Sequence, residues 1–264
     1  MKQYEHYFFD LDGTLINGEG LLPYAKELIS CLRKQKKQVF FLTNHPVRSR
    51  RVLTNDLQEL GLDIFYDELI TPIMGLKEYF APRNKDSRKL YVAGSKMIKE
   101  ELREQGFTVV DEHASEEPKN IAVVLGMTPD LTYNQLQVGF WLMQQGAELI
   151  LLNGDLLCPH PKGFLIDTGS LARVLEHKDK KPVIVGKPSY WMQQALLRAM
   201  RGNVENAVII GDSLTSDIGI GNSLNIDTVL VCSGVTSIHQ MQHAVQLPTV
   251  IFPSVREIYQ LIKG

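Results

Sequence analysis

The segment Phe8-Phe9-Asp10-Leu11-Asp12-Gly13-Thr14-Leu15 is the point from which this chain is best read. Tyr7, Phe8 and Phe9 run into Leu11 with little polar interruption, the pattern of a strand covered on both faces. Two carboxylates follow, separated by one residue, where the apolar run ends and Gly13 lets the chain turn. If the extended backbone persists to its end, Asp10 and Asp12 approach one small volume. Two acids that close repel each other, and a bound divalent cation or a shared proton would relieve the repulsion. Taken alone the segment is also compatible with a strand ending in a solvated Asp-Gly turn. It is not an EF-hand loop, because Gly13 is fourth and Thr14 fifth where that loop needs an acid or Asn fifth and Gly sixth.

The flanking sequence repeats the strand-then-helix alternation. Pro23–Gln35 carries Leu28, Ile29 and Leu32 at helical spacing, and Val39–Leu42 is a second buried strand ending in Thr43-Asn44. A helix is expected over Arg48–Leu60, a short strand over Glu68–Thr71 and a helix over Pro72–Phe80. The proline-broken polar stretch Ala81–Arg88 reads as a linker. A second alternation follows, with strands at Lys89–Ala93, Ile121–Leu125 and Glu148–Leu152, and helices at Lys96–Gln105, Thr132–Gln145 and Ser170–Glu176. Cys158–Gly163 reads as loop. Pro182–Val185 appears as a return to the first pattern and ends in Gly186-Lys187-Pro188, with Ser189 as N-cap of the next helix. Asn206–Ile210 is a strand ending in Gly211-Asp212-Ser213, and Leu214–Ser223 is helical and carries Asp217. Two last strands and a helix from Ser254 to Ile262 close the chain. The expectation is an α/β protein: a Rossmann-like, doubly wound parallel-sheet core of residues 1–81 and 182–264, with an inserted α/β domain of residues 82–181.

Asp10, Asp12, Thr43, Lys187 and Asp212 each follow an apolar run directly. In an open parallel sheet such ends share one edge, the edge where ligands bind. Lys187 is not part of a phosphate-binding P-loop, since the glycine-rich run is missing and Pro188 stands at the Ser/Thr position. Gly219-Ile220-Gly221 lies inside a helix and opens no dinucleotide fingerprint. The 264 residues can bury a large core, and 44% apolar with 22% charged residues is ordinary for a globular protein. A net charge of −2 gives no pull toward nucleic acid or anionic membrane, and no apolar run reaches spanning length. Three scattered cysteines make neither a disulfide framework nor a metal spacing, as in a reducing cytoplasm, and no signal peptide precedes the first strand.

Asp10-Leu11-Asp12-Gly13-Thr14, Thr43-Asn44, Lys187, and Gly211-Asp212 with Asp217 resemble, in order and spacing, the four motifs of the haloacid dehalogenase superfamily of phosphatases. The insert between the second and third resembles the large α/β cap of NagD-like and p-nitrophenylphosphatase-like members. Gly186-Lys187-Pro188-Ser189 and Phe252-Pro253-Ser254-Val255 look specifically NagD-like. His45 departs from that pattern, standing where many relatives carry Asn or Tyr.

The resemblance implies a Mg²⁺-dependent phosphomonoesterase acting through an aspartyl-phosphate on small phosphorylated metabolites, nucleoside monophosphates or sugar phosphates. Asp10 would be the nucleophile and Asp12 the acid and base. The carboxylates of Asp10 and Asp212 and the carbonyl of Asp12 would hold the cation. Thr43, Asn44, Lys187 and amides near Leu11 and Asp12 would bind the phosphoryl oxygens, with Gly211, Ser213 and Asp217 supporting them. The loops Asn153–Asp155 and Cys158–Ser170 after the strand Glu148–Leu152, with Asp155 and His160 in them, are the parts of the cap expected to meet the leaving group. No nucleic-acid polymer or membrane partner is expected, and a homo-oligomer is left open. A ligand-binding or regulatory protein that kept the fold and lost turnover is the alternative, as is phosphotransfer or carbon–halogen cleavage on the same scaffold.

Overall fold

The computed structural model describes residues 2–18, 20–82, 89–110, 120–160, 162–176, 181–202, 204–237 and 244–263. Its first sheet has six parallel strands in the order Val250–Phe252, Asp227–Val231, Ala207–Gly211, His6–Phe9, Gln38–Leu42, Leu69–Ile70. His6–Phe9 lies inside this sheet, with Phe9 beside Ile210 on one side and Phe41 on the other. Its side chains alternate as a two-sided strand requires. Tyr7 and Phe9 pack with Leu28, Leu32, Phe41 and Ile258, whereas Phe8 packs with Leu42, Met192, Leu196 and Ile209. The helices Ala25–Lys34 and Val255–Ile262 therefore cover one face and Tyr190–Ala199 the other. The strand order turns back at His6–Phe9, which puts a crevice at the ends of the central strands.

A second, five-stranded parallel sheet runs Val183–Ile184, Glu148–Leu151, Ile121–Leu125, Lys89–Ala93, Val109–Val110. One face carries Leu90, Val92, Val124 and Ile150 against Leu76, Tyr79 and Phe80 of the helix Pro72–Phe80. The other carries Tyr91, Val123 and Leu149 against Met143 and Leu175 of the helices Tyr133–Gln144 and Thr168–Leu175. Helix starts follow local chemistry: Ser49, Ser95, Thr132, Ser189 and Ser254 each accept a hydrogen bond from the backbone of the first turn. Among the described residues no helix is long and apolar enough to cross a membrane.

The structure departs from the sequence reading at three places. Val183–Ile184 does not return to the first sheet; it extends the second, pairing with Ile150 and Leu151. Two apolar residues there cover a sheet edge that would otherwise be bare, and the chain regains the core at Gly186. Cys158–Gly163 is not a plain loop but part of an antiparallel hairpin, Leu157–His160 with Gly163–Ile166. Its strands are four residues long and interrupted by Pro159, which erases the alternation that marks a strand. Leu214–Ile218 forms a π-helical turn before the α-helix Gly219–Ser223, where one continuous helix was expected. Residues 83–88 of the expected linker lie outside the described residues.

The chain approaching Lys187 passes very close to the helix Pro72–Phe80. A Cβ on Gly75 would lie 2.1 Å from the Val185 carbonyl oxygen, a backbone atom that cannot swing away. Gly75→Ala should therefore cost about 1–3 kcal/mol despite alanine's better helix propensity. Thermal denaturation checks this, and an unchanged or raised midpoint would refute the close approach.

Candidate active site

Asp10 leaves the strand His6–Phe9 with its N–H donating to the Ile210 carbonyl at 2.8 Å, and its side chain is buried. Facing it is Lys187, only 2% exposed. The Lys187 ammonium donates to Asp10 Oδ1 at 2.6 Å, Asp217 Oδ1 at 2.6 Å and the Leu42 carbonyl at 2.9 Å, so all three of its protons are used. Asp212 completes the group: Asp10, Asp212 and Asp217 each offer a carboxylate oxygen within 4.8 Å of the others.

Glycines make this crowding possible. A Cβ would lie 1.8 Å from Asp212 Oδ2 at Gly234 and 2.4 Å from it at Gly13, whose φ of +86° also favours glycine. The same oxygen accepts the Val235 N–H at 2.6 Å. At Gly211 a Cβ would meet the Asp217 carboxyl carbon at 2.2 Å, so Gly211 makes room for Asp217. Ser213 donates its N–H to Asp217 Oδ2 at 3.0 Å and caps Ser216 with its hydroxyl.

One ammonium does not balance three buried carboxylates. Burial pushes the Asp10 carboxyl well above the usual range; Lys187 opposes this while Asp217 and Asp212 add to it. Burial and then Asp217 push Asp212 up to about 7, against the Val235 N–H. Burial would lower the Lys187 ammonium, but Asp10 and Asp217 outweigh it and hold it above the ordinary lysine value. The donor set is all hard oxygen, buried and short of positive charge, which fits a small divalent cation such as Mg²⁺.

The remaining residues named from sequence fall around this cluster. Thr43 is buried and its hydroxyl accepts the His45 N–H at 3.0 Å. Asn44 is wholly committed: Nδ2 donates to Asp155 Oδ2 at 2.8 Å and the Lys187 carbonyl at 3.2 Å, and Oδ1 accepts the Lys187 N–H at 2.7 Å. It ties together three distant stretches of chain. Asp12 points into the open, its side chain 40% exposed and Oδ2 3.9 Å from His45 Nδ1. Burial lowers the His45 pKa, and the Asp12 carboxylate opposes the shift. Asp155 lines the cleft, but His160 does not. His160 sits exposed at the hairpin tip, its Nδ1 accepting the Lys162 N–H at 3.2 Å.

All of this opens into a cleft of about 890 Å³. Its walls include Cys158, Leu165 and Asp167 from the loop expected to meet the leaving group, and Arg48, Met127, Leu214 and Thr215, which sequence reading did not single out. Cys158 and Leu165 sit opposite each other in the hairpin and so share a face. Gly234 was missed as well, although a glycine just past the strand Asp227–Val231 is a signal for close backbone approach.

A doubly wound sheet with acids at its central crossover and a lysine from a later strand end defines a class of α/β hydrolases. A profile described as haloacid dehalogenase-like hydrolase matches residues 7–108, and a HAD-hydrolase-like profile matches 184–258. The 5'-nucleotidase YutF of Bacillus subtilis (strain 168) is 30% identical over 258 residues, 97% of this chain and 98% of the relative. An acid sugar phosphatase of Staphylococcus haemolyticus is 27% identical, covering 96% and 94%. The solved structure of NagD from Escherichia coli K-12 superposes with a TM-score of 0.82 at 29% identity, covering 97% of this chain and 98% of that one. The chain belongs to the haloacid dehalogenase-like hydrolases, and within them to the NagD-like group.

Proposed function

We propose that this protein is a Mg²⁺-dependent phosphomonoesterase that hydrolyses small phosphorylated metabolites, nucleoside monophosphates or sugar phosphates, through an aspartyl-phosphate. The observation that carries the reading is the buried Asp10–Lys187–Asp217 array beside Asp212 at the floor of the cleft. Lys187 fixes the Asp10 carboxylate, which attacks phosphorus in line; the P–O ester bond breaks as the Asp10–phosphorus bond forms. Asp12, free on the cleft side, gives its proton to the leaving oxygen. It then takes a proton from the water that hydrolyses the acyl phosphate, which releases phosphate and restores Asp10. Thr43 and backbone N–H groups after Asp10 are the donors for the phosphoryl oxygens, and Lys187, its three protons engaged, binds them through its positive charge. Asn44 is spent on holding the Lys187 backbone, so its part in phosphate binding is through Lys187. The carboxylates of Asp10 and Asp212 and the Asp12 carbonyl would hold Mg²⁺, which when bound offsets the charge on the phosphoryl oxygens. Asp217, engaged with Lys187 and Ser213, orients the lysine.

We read residues 82–181 as a cap inserted into a core of 1–81 and 182–264, with the hairpin around Cys158 as the cap's closest approach to the leaving group. The nucleotide or sugar class is drawn from the names of the relatives. Release of phosphate from p-nitrophenyl phosphate, dependent on Mg²⁺ and abolished by chelator, tests the activity; a panel of nucleotides and sugar phosphates then ranks substrates. Absence of turnover across that panel would favour a regulatory protein on the same fold.

The acid excess also gives a stability test. A carboxyl whose folded pKa is raised contributes stability below its unfolded pKa and loses it as pH rises through the folded value. For Asp212 that window runs from the ordinary aspartate value of 3.8 to about 7. With chelator present, the melting midpoint should fall as pH rises across that window, and saturating Mg²⁺ should flatten the slope. A midpoint independent of Mg²⁺ at pH 7.5 would contradict a cation among these carboxylates.

A further inference from the structure

The charge of the cleft bears on what the phosphate can be attached to. Six carboxylates line it: Asp10, Asp12, Asp155, Asp167, Asp212 and Asp217. Among the described residues its only cationic side chains are Lys187 and Arg48, and both are already paired. Lys187 is held by Asp10 and Asp217 at 2.6 Å, and the half-exposed Arg48 forms an ion pair with Asp56, Nη1 to Oδ2 at 2.9 Å. His45 also lines the cleft, its Nδ1 3.9 Å from Asp12 Oδ2. Phosphate can draw on Lys187, the cation and backbone N–H groups on the floor. Among the described residues that line the cleft, the one cationic side chain away from the floor is Arg48, whose charge Asp56 offsets.

The far wall is acidic instead. Asp155 uses Oδ2 on Asn44, and Asp167 uses Oδ1 on Thr168 and Asn153. Among the described residues neither second oxygen receives a hydrogen bond, so each can accept from a hydroxyl or amine. Met127, Leu156 and Leu165 add apolar surface between them.

We infer that this cleft selects phosphate esters of uncharged or cationic alcohols and turns away esters whose alcohol carries a second anionic group, with Asp155 and Asp167 setting the preference. The inference rests on the phosphomonoesterase reading above. It divides substrates of one size by charge: a hexose phosphate from the phosphate of the matching sugar acid, a nucleoside monophosphate from a bisphosphate.

The test uses a nearly isosteric pair, 4-carbamoylphenyl phosphate and 4-carboxyphenyl phosphate, with Mg²⁺ at pH 8. The carbamoyl ester should show kcat/KM higher by about 30-fold, the size of one unfavourable charge contact at intermediate dielectric. Rising salt should narrow that ratio. Asp155→Asn and Asp167→Asn should each narrow it by at least about threefold. Turnover of both esters at similar kcat/KM, or preference for the carboxylate, would overturn the inference and leave the phosphatase reading standing. No turnover of either ester or of p-nitrophenyl phosphate would overturn both. A ratio unchanged in both folded variants would remove Asp155 and Asp167 as its source. Should a variant fail to fold, the wild-type ratio and its salt dependence still decide.

Discussion

Asp10→Asn is expected to lower kcat by about four powers of ten while the protein stays folded. The amide oxygen is a poor nucleophile, and nothing else among the buried groups stands where an in-line attack could start. Stability should move the other way. Burial raises the Asp10 carboxyl, with Asp217 and Asp212 adding to the effect, so its ionised form is unfavourable in the folded state near neutrality. By linkage, its favourable contribution is confined to low pH and is lost as pH rises through the folded value. A neutral amide removes that burden, and Lys187 keeps Asp217 at 2.6 Å. The melting midpoint in chelator at pH 7.5 should then be no lower than that of the wild type. The stabilisation given by Mg²⁺ should shrink, because one carboxylate ligand is gone. Residual activity above about 1% would remove Asp10 from the nucleophile role.

How far the sequence discloses such residues depends on the range of their causes. Asp10, Thr43 and Asp212 are legible because each stands directly after an apolar run, and a parallel sheet gathers such ends on one edge. Lys187 was found for the same reason, although the strand before it, Val183–Ile184, belongs to the other sheet. The motif order and spacing remained diagnostic where the strand assignment did not. Asn44 shows the opposite case. Its side chain holds Asp155 and Lys187, residues 111 and 143 positions away, and no local pattern announces such partners. Gly234 and Gly211 are spacers for carboxylates that reach them only in the fold. The hairpin Leu157–Ile166 was missed because Pro159 and Gly163 read as breakers, and with it the inward turn of Cys158 and Leu165. The buried acid–lysine floor follows from strand ends, which are local; the hairpin wall of the cleft follows from how the chain folds back over it, which is not.

Lys187→Met should be the most disruptive single change to both stability and catalysis. Lys187 is 2% exposed, and its ammonium satisfies Asp10, Asp217 and the Leu42 carbonyl at once. Methionine matches much of its volume but leaves three carboxylates within 4.8 Å without their one positive partner. Removing one side of a buried pair typically costs about 3–5 kcal/mol. For a chain of this size that lowers the melting midpoint by about 10 °C. Two conditions should restore part of the loss: mild acid, which protonates the carboxyls, and saturating Mg²⁺, which replaces the missing charge. Activity should not return with stability. The phosphoryl oxygens lose a nearby positive charge and Asp10 loses the group that fixes it, so kcat should remain about 10²–10³-fold down even with Mg²⁺. Lys187→Arg is the informative control, since a planar guanidinium cannot point three protons at three acceptors converging on one nitrogen, and it should rescue little of either property. Melting curves with and without Mg²⁺ at pH 5.5 and 7.5, beside kcat, separate the two roles. A methionine variant that melts with the wild type in chelator at pH 7.5 would mean that the carboxylates are not held together by this lysine.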